Sequence, residues 1–528
     1  MSIPDDNGQP MVEPAGMPKQ DGSTARRLAI NTVSNWMALG VQVLSGMFLL
    51  AYVLRHFGEE EFGLYRVALS ITQAIGFLAF GMATANLRVA TDRVAREDWD
   101  GLSNVLSVVR TLMAGAAGLG LAAVAVISFT CLGFFNVPAA TQATAARLMQ
   151  LAGIGSALQL VRIPYRSGLL AKQRYDLANA VLVGEVALRA GMIVACFELG
   201  WVRLEVLGLA IAVPSALGLI ALSVMGRRVL PTVRLSFRRF TKKALYSVLK
   251  FSIWSTAGHI SFVVQQSVAA PLIGATLGLA AVTAFAVPQV MAQYMPSLVG
   301  GFTLALWPLA AGLAVRGDRK NLGRLYVTAT RFAMLLVVPI LAVFVTHAEP
   351  LVAALKPELA WTHGLVVLCI GLSVLHCFGL SATHIIWGSG RIRGMVLSNV
   401  AVTIVGVMAA LATVVWTDWG LYGVALGLFV PAALRGVTYM PILARRQIGV
   451  GFLKTIVSGG LVPLLGGLVP LAVGLVLRTA WTPSGLRVTM LQMGLSAVVY
   501  APVAWVLILR ADERRAVLKV FRLRRAAA

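Results

Sequence analysis

Residues 58–102 read GEEEFGLYRVALSITQAIGFLAFGMATANLRVATDRVAREDWDGL, and residues 278–322 read GLAAVTAFAVPQVMAQYMPSLVGGFTLALWPLAAGLAVRGDRKNL. Sliding the first stretch forward by 220 positions without a gap sets Gly58 on Gly278, Val67 on Val287, Gln73 on Gln293, Leu78 on Leu298 and Gly81 on Gly301. The register continues through Ala85 with Ala305, Ala90 with Ala310, Arg96 with Arg316, Asp98 with Asp318 and Leu102 with Leu322. Alanines and leucines coincide often in an apolar chain; glutamines, arginines, aspartates and glycines do not. The chain is therefore built on an internal repeat.

The medium that surrounds the repeat follows from composition. Hydrophobic residues make up 58% of the 528, charged residues 12%, and the mean hydropathy is +0.82. A water-soluble chain of this length needs far more charge at its surface. A bilayer supplies the missing apolar solvent, and backbone polar groups then require helices or a closed barrel. Apolar runs of roughly 20 residues, rather than short alternating strands, select helices. The fold expected is all-α and integral to the membrane, with about fourteen spans. They fall at 28–54, 64–86, 106–131, 141–160, 177–198, 205–225, 246–273, 279–311, 328–346, 362–386, 394–416, 419–441, 455–477 and 487–509. The eighth is long for one crossing, and Pro288, Pro296 and Pro308 are expected to kink it.

The net charge of +24 does not point to nucleic acid, because the cations sit in short clusters between apolar runs. With the N-terminus inside, thirty-six of the 45 Lys and Arg fall in cytoplasmic segments and six outside. The outer six are Arg55, Arg147, Arg203, Lys356, Arg478 and Arg487; Arg66, Arg189 and Arg435 lie within spans. A bias sustained through every loop is expected to place both termini in the cytoplasm. The expected organisation is a disordered tail at 1–27, an N-lobe at 28–225, a basic linker at 226–250 and a C-lobe at 246–441. A C-terminal helix pair at 455–509 and a basic tail at 510–528 follow. Both six-helix lobes have one topology, so they are related by an axis along the membrane normal. No cleavable signal is expected before the first span. Cys131, Cys196, Cys369 and Cys377 lack metal-ligand spacing and read as buried small hydrophobes.

Residues 31–90 contain NTVSNWMALGVQVLSG, YVLRHFGEEEFGLYRVA and FLAFGMATANLRVA. The second half contains FSIWSTAGHISFVVQQSVAAPLIGATLGLAAVTAFAVPQV and, at 305–326, ALWPLAAGLAVRGDRKNLGRLY. Through roughly residues 28–510 this resembles the polysaccharide-transporter branch of the multidrug/oligosaccharidyl-lipid/polysaccharide exporter superfamily, which includes the Wzx-type flippases. The resemblance implies two lobes around a central cavity. It also implies alternating access that moves undecaprenyl-diphosphate-linked oligosaccharides to the outer leaflet, with polysaccharide polymerase or assembly proteins as partners.

A lipid diphosphate presents anionic phosphates and a polar glycan, so its site needs cationic and amide groups near the midplane. The first span carries Asn31, Asn35 and Gln42 on one stripe, and the second Arg66, Ser70 and Gln73. Span seven carries Ser252, Ser255, His259 and Gln266, and span eight Gln289 and Gln293. These line a shared cavity, or else bond neighbouring helices. Arg66 faces a phosphate at the cavity mouth or snorkels at the outer interface, and Arg88 is its counterpart near the inner end of span two. Glu185 and Arg189, four apart on span five, form an intrahelical pair serving structure or coupling. Arg435 is expected to snorkel inward, and His376 and His384 to bond between helices.

No G-x4-G-K-[ST] phosphate loop occurs, so ATP is not expected to drive transport from within this chain, and neither cofactor nor metal is expected. A membrane polymerase or ligase needs a sizeable outer loop, and 347–361 is short. Drug/cation antiporters of the superfamily resemble one another in an acid on the first span, which is absent from residues 28–54. A peptidoglycan lipid-precursor flippase shares the implied fold and stays open.

Overall fold

A computed structural model describes residues 22–79, 82–303, 306–389, 392–483, 485–509, 511 and 513–515, and it is helical nearly throughout. The expected tail at 1–27 lies outside the described residues as far as 21, and the one at 510–528 lies outside them apart from 511 and 513–515. In chain order the helices are α1 (Gly22–His56), α2 (Glu59–Gln73), α3 (Met82–Ala95), α4 (Trp99–Thr130), α5 (Gln142–Val161), α6 (Ile163–Ala171) and α7 (Tyr175–Glu198). Next come α8 (Leu204–Val229), α9 (Lys242–Ser267), α10 (Ala269–Thr276), α11 (Leu279–Thr303), α12 (Leu306–Val315), α13 (Arg319–Leu355), α14 (His363–Phe378) and α15 (Leu380–Ser389). The last are α16 (Arg393–Trp416), α17 (Gly420–Leu434), α18 (Met440–Ile448), α19 (Phe452–Ala480) and α20 (Leu486–Val506).

Among the described residues, ten stretches are long and apolar enough to cross a membrane: α1 from Ser34, α4, α7, α8, α13, α14 with α15, α16, α17 with α18, α19 and α20. The chain is thus a multi-pass membrane protein. Leu44, Phe129 and Val498 are exposed, which water would penalise and lipid does not. The other four expected spans also fall on helix, but in other forms. Span 141–160 is α5, which is 20 residues long but carries Arg147 and three glutamines. Span 64–86 divides into α2, a tight turn at Ala74–Ala79 and α3, 246–273 into α9 and α10, and 279–311 into α11 and α12. Pro288 and Pro296 lie inside α11, and Pro308 lies in the first turn of α12, where a missing N–H costs nothing.

The repeat survives in atomic detail. Residues 96, 97, 98, 99 and 102 donate backbone N–H bonds to 92, 94, 93, 97 and 98; residues 316, 317, 318, 319 and 322 donate to 312, 314, 313, 317 and 318. Glu97 and Gly317 both take positive φ, 55° and 68°. Asp98 caps α4 by accepting from the Gly101 N–H, and Asp318 caps α13 by accepting from Asn321. The two copies also touch reciprocally. A Cβ on Gly63 would lie 2.0 Å from the Leu279 carbonyl oxygen, while the Thr283 hydroxyl donates to the Glu59 carbonyl. Since 279 and 283 correspond to 59 and 63, the contact obeys a local two-fold.

The described chain packs as two units. The first takes residues up to Ala286 with Ile392–Leu428, the second Val287–Arg391 with the chain from Phe429. In the first, α5 lies between α4 and α8, α7 on α8, α1 on α7 and α16 on α9. The α5–α8 crossing is close because Gly155 faces Ile211 and Gly208 faces Leu151. In the second, α13 is the spine against which α14, α19 and α20 pack. Polar clasps fix the C-terminal pair at both ends of α13. At one end Arg478 donates to the Thr346 carbonyl at 3.1 Å and pairs with Glu349. At the other, Arg331 donates to both carboxylate oxygens of Glu513 (2.9 and 2.8 Å) and to the Ser458 carbonyl.

Candidate functional site

Glu185 sits about 15 Å along α7 from Tyr175 at a helical rise. Its position invites a pair with Arg189, and the structure corrects that reading. The carboxylate takes Arg162 instead, whose Nη1 lies 2.5 Å from both Oε1 and Oε2, with side chains 17% and 12% exposed. Arg162 stands at the junction of α5 and α6 and reaches across to α7, giving both oxygens a charged donor. An i,i+4 pair contributes only about 0.2–0.5 kcal/mol on a helix. α8 leaves room for the carboxylate at Gly218, where a Cβ would stand 1.6 Å from Oε1.

Further cations surround this pair. Arg166, one turn beyond Arg162, lies within electrostatic range of Arg162, Glu185 and Tyr175. Arg189 is one turn beyond Glu185, and its Nε is buried without a hydrogen-bond partner. Arg189 and Arg66 both lie within electrostatic range of Tyr65 on α2. Arg162, Arg166 and Arg189 thus gather near one carboxylate inside the first unit, and Arg66 shares the neighbourhood of Tyr65 with Arg189. Sequence reasoning found Arg66, Glu185 and Arg189 but placed Arg162 and Arg166 in a loop. The helix runs on almost unbroken from α5 into α6, and the four-residue spacing of the two arginines was the available signal.

Other candidates are bonded or scattered. Asn31 donates to the Gln173 carbonyl at 3.2 Å, and Asn35 accepts from Asn179 at 2.6 Å, so this part of the α1 stripe joins α1 to α7. His259 bonds the backbone of Gly76. Ser70 lines a cavity of about 490 Å³ with Ser267, Ile75, Val124 and Val264, apolar but for the two serines. Gln42, Gln73 and Arg88 are exposed and Gln266 is half-buried. In the second unit Gln289 is buried and Gln293 half-buried. Arg435, expected to reach for the interface, is instead buried beside His376 and Tyr439. The sequence reading missed Gln265, which donates to Thr403 at 2.6 Å and to Asn399 at 3.5 Å, tying α9 to α16.

A model of the polysaccharide biosynthesis protein family matches residues 28–314. No curated protein matches the chain. Among solved structures, a multidrug resistance MATE family transporter of the MOP superfamily in its outward-facing conformation superposes with TM-score 0.61 at 17% identity, over 80% of this chain and 96% of that one. An inward-facing MATE transporter gives 0.59 at 18%, over 80% and 97%. A MOP superfamily transporter from Pyrococcus furiosus, described by the reverse polarity of its binding pocket, gives 0.56 at 17%, over 80% and 96%. At such identities the likeness is one of fold.

Proposed function

We propose that this chain, which belongs to the polysaccharide biosynthesis protein family, is a flippase for polyprenyl-diphosphate-linked oligosaccharide repeat units. It works by alternating access in a bacterial inner membrane with both termini in the cytoplasm, and hands its product to polymerase or assembly proteins. The observation that carries the reading is the arginine column of the first unit. Arg162, Arg166 and Arg189 near one carboxylate leave a surplus of positive charge among apolar helices, where an uncompensated cation is costly. An anion lowers that cost. A diphosphate suits it because guanidinium forks hold phosphate oxygens in pairs. A polyprenyl tail stays in lipid while the phosphates and glycan follow the polar groups. Arg66 meets the phosphates towards one end of the path, and exposed Arg88 towards the other.

The test replaces Arg66, Arg88 and Arg189 singly with Ala or Lys in a strain lacking the gene. Surface polysaccharide is measured per membrane-inserted protein. The Ala variants should lose about tenfold or more, as for one charge-assisted bond to phosphate, and the Lys variants should keep part of the function. Full export by all three Ala variants removes the column from the mechanism. Rescue of a strain depleted of its cell-wall precursor flippase, without rescue of polysaccharide export, assigns the same charge to the peptidoglycan precursor.

A further inference from the structure

Between α8 and α9 the basic linker is a strap held against α4. Leu230 is 5% exposed and packs with Ala90, Leu102, Leu106 and Ala171. Val233 and Leu235 pack against the same cluster. The Arg234 N–H donates to the Ser103 hydroxyl at 3.2 Å and the Ser236 N–H to that of Ser107 at 3.1 Å. Arg110 donates to the Leu235 carbonyl at 3.0 Å, and its guanidinium lies 4.2 Å over the Phe237 ring. Arg239 then returns to Asp100 at 3.1 Å. From Asp100 to Arg110 is about 15 Å of helix. The strap therefore dips along α4 to the start of its apolar run and comes back, with Phe237 at the tip.

What the strap leaves outward is amphipathic. Phe237 is 53% exposed, Phe240 40% and Tyr246 68%. Arg227, Arg228, Arg234, Arg238 and Lys242 are exposed beside them, and residues 226–250 contain no Asp or Glu. Aromatic rings at the edge of the hydrocarbon and cations at headgroup height are what an anionic leaflet binds. We propose that the strap is a lipid anchor which takes anionic phospholipid headgroups between these arginines, with Phe237 and Phe240 in the upper acyl region. The occupant is a leaflet because the apolar tip lies beside a membrane helix, where free phosphate gains nothing from the rings.

The test uses the full chain in nanodiscs of phosphatidylcholine mixed with phosphatidylglycerol, and native mass spectrometry of the lipids it retains. The variant R227Q/R228Q/R234Q/R238Q leaves the Arg239–Asp100 pair intact and should retain at least about tenfold less phosphatidylglycerol. The matching four-lysine variant should retain it as the native chain does, which separates charge from misfolding. Phosphatidylglycerol retention by the Gln variant equal to the native chain overturns the proposal, as does equal retention of phosphatidylcholine by the native chain. Loss of polysaccharide export without loss of lipid also overturns it and assigns the surface to an acidic protein.

Discussion

A carboxylate within a helical membrane protein is costly until its charge is met, and Glu185 and Glu513 are met in the same manner. Glu185 and Glu513 each take an arginine with both oxygens. The second pair is the more buried, at 3% and 6% exposure. Removing one partner leaves the other charged in a dry site. Arg331→Ala should therefore lower stability by roughly 3–5 kcal/mol, and Arg331→Met with Glu513→Leu should recover most of it. Thermal unfolding of the detergent-solubilised chain checks both. A double variant no better than the single would show that the pair itself, and not burial of a lone charge, holds the segment after α20 to α13. These residues were legible in unequal degree. Charged residues inside spans announce themselves by hydropathy, so Glu185 stood out. Arg331 and Glu513 read as ordinary loop and tail charges, because apolar-run length says nothing of a helix such as α13 that continues past its lipid-facing part.

Elements repeat because their caps repeat. In both copies a residue of positive φ turns the chain, and an aspartate then accepts from the N–H of the third residue of the next helix. The sequence register of 220 residues was enough to expect this, since Asp98 and Asp318 are among its costly matches. The reciprocal contact of 63 with 279 and 59 with 283 was not legible, since a gapless alignment carries no distances. The Gly101 N–H, followed by the Arg93 guanidinium, holds the Asp98 carboxyl below its usual range. The Asn321 N–H holds that of Asp318 down likewise. A carboxyl depressed by folding stabilises above its unfolded value, near 3.9, and loses that contribution as pH falls through the lower folded one. Asp98→Ala should thus cost about 1 kcal/mol at neutral pH. The native and Ala chains should converge as the pH drops below about 4. A gap that persists in acid would mean the side chain acts by packing rather than by charge.

At the scale of the molecule the open quantity is the number of crossings, and orientation hangs on it. Ten stretches pass on length and apolarity, while fourteen satisfy the charge bias. The difference lies in α2 with α3, which a break divides into helices of 15 and 14 residues, and in α5, α9 and α11, which at 20, 26 and 25 residues are long enough but too polar to pass on apolarity. Most loops have the same parity in both schemes and cannot decide. Three can. With α2 and α3 together forming a crossing, Arg96 lies on the side of the termini; with ten crossings it follows only α1 and lies opposite. Ala140, after α4, and Thr276, after α10, exchange sides in the reverse sense. All three positions are exposed, so burial cannot imitate protection. With Cys131 and Cys196 changed to Ser, an impermeant thiol reagent applied outside cells should label Ala140→Cys and Thr276→Cys and leave Arg96→Cys unlabelled until the membrane is opened. Ten crossings require the opposite of all three. That outcome would also put Arg88, Arg93 and Arg96 on the outer side, against the sixfold bias of the loops taken together, and it is this charge argument on which the proposal of fourteen crossings rests.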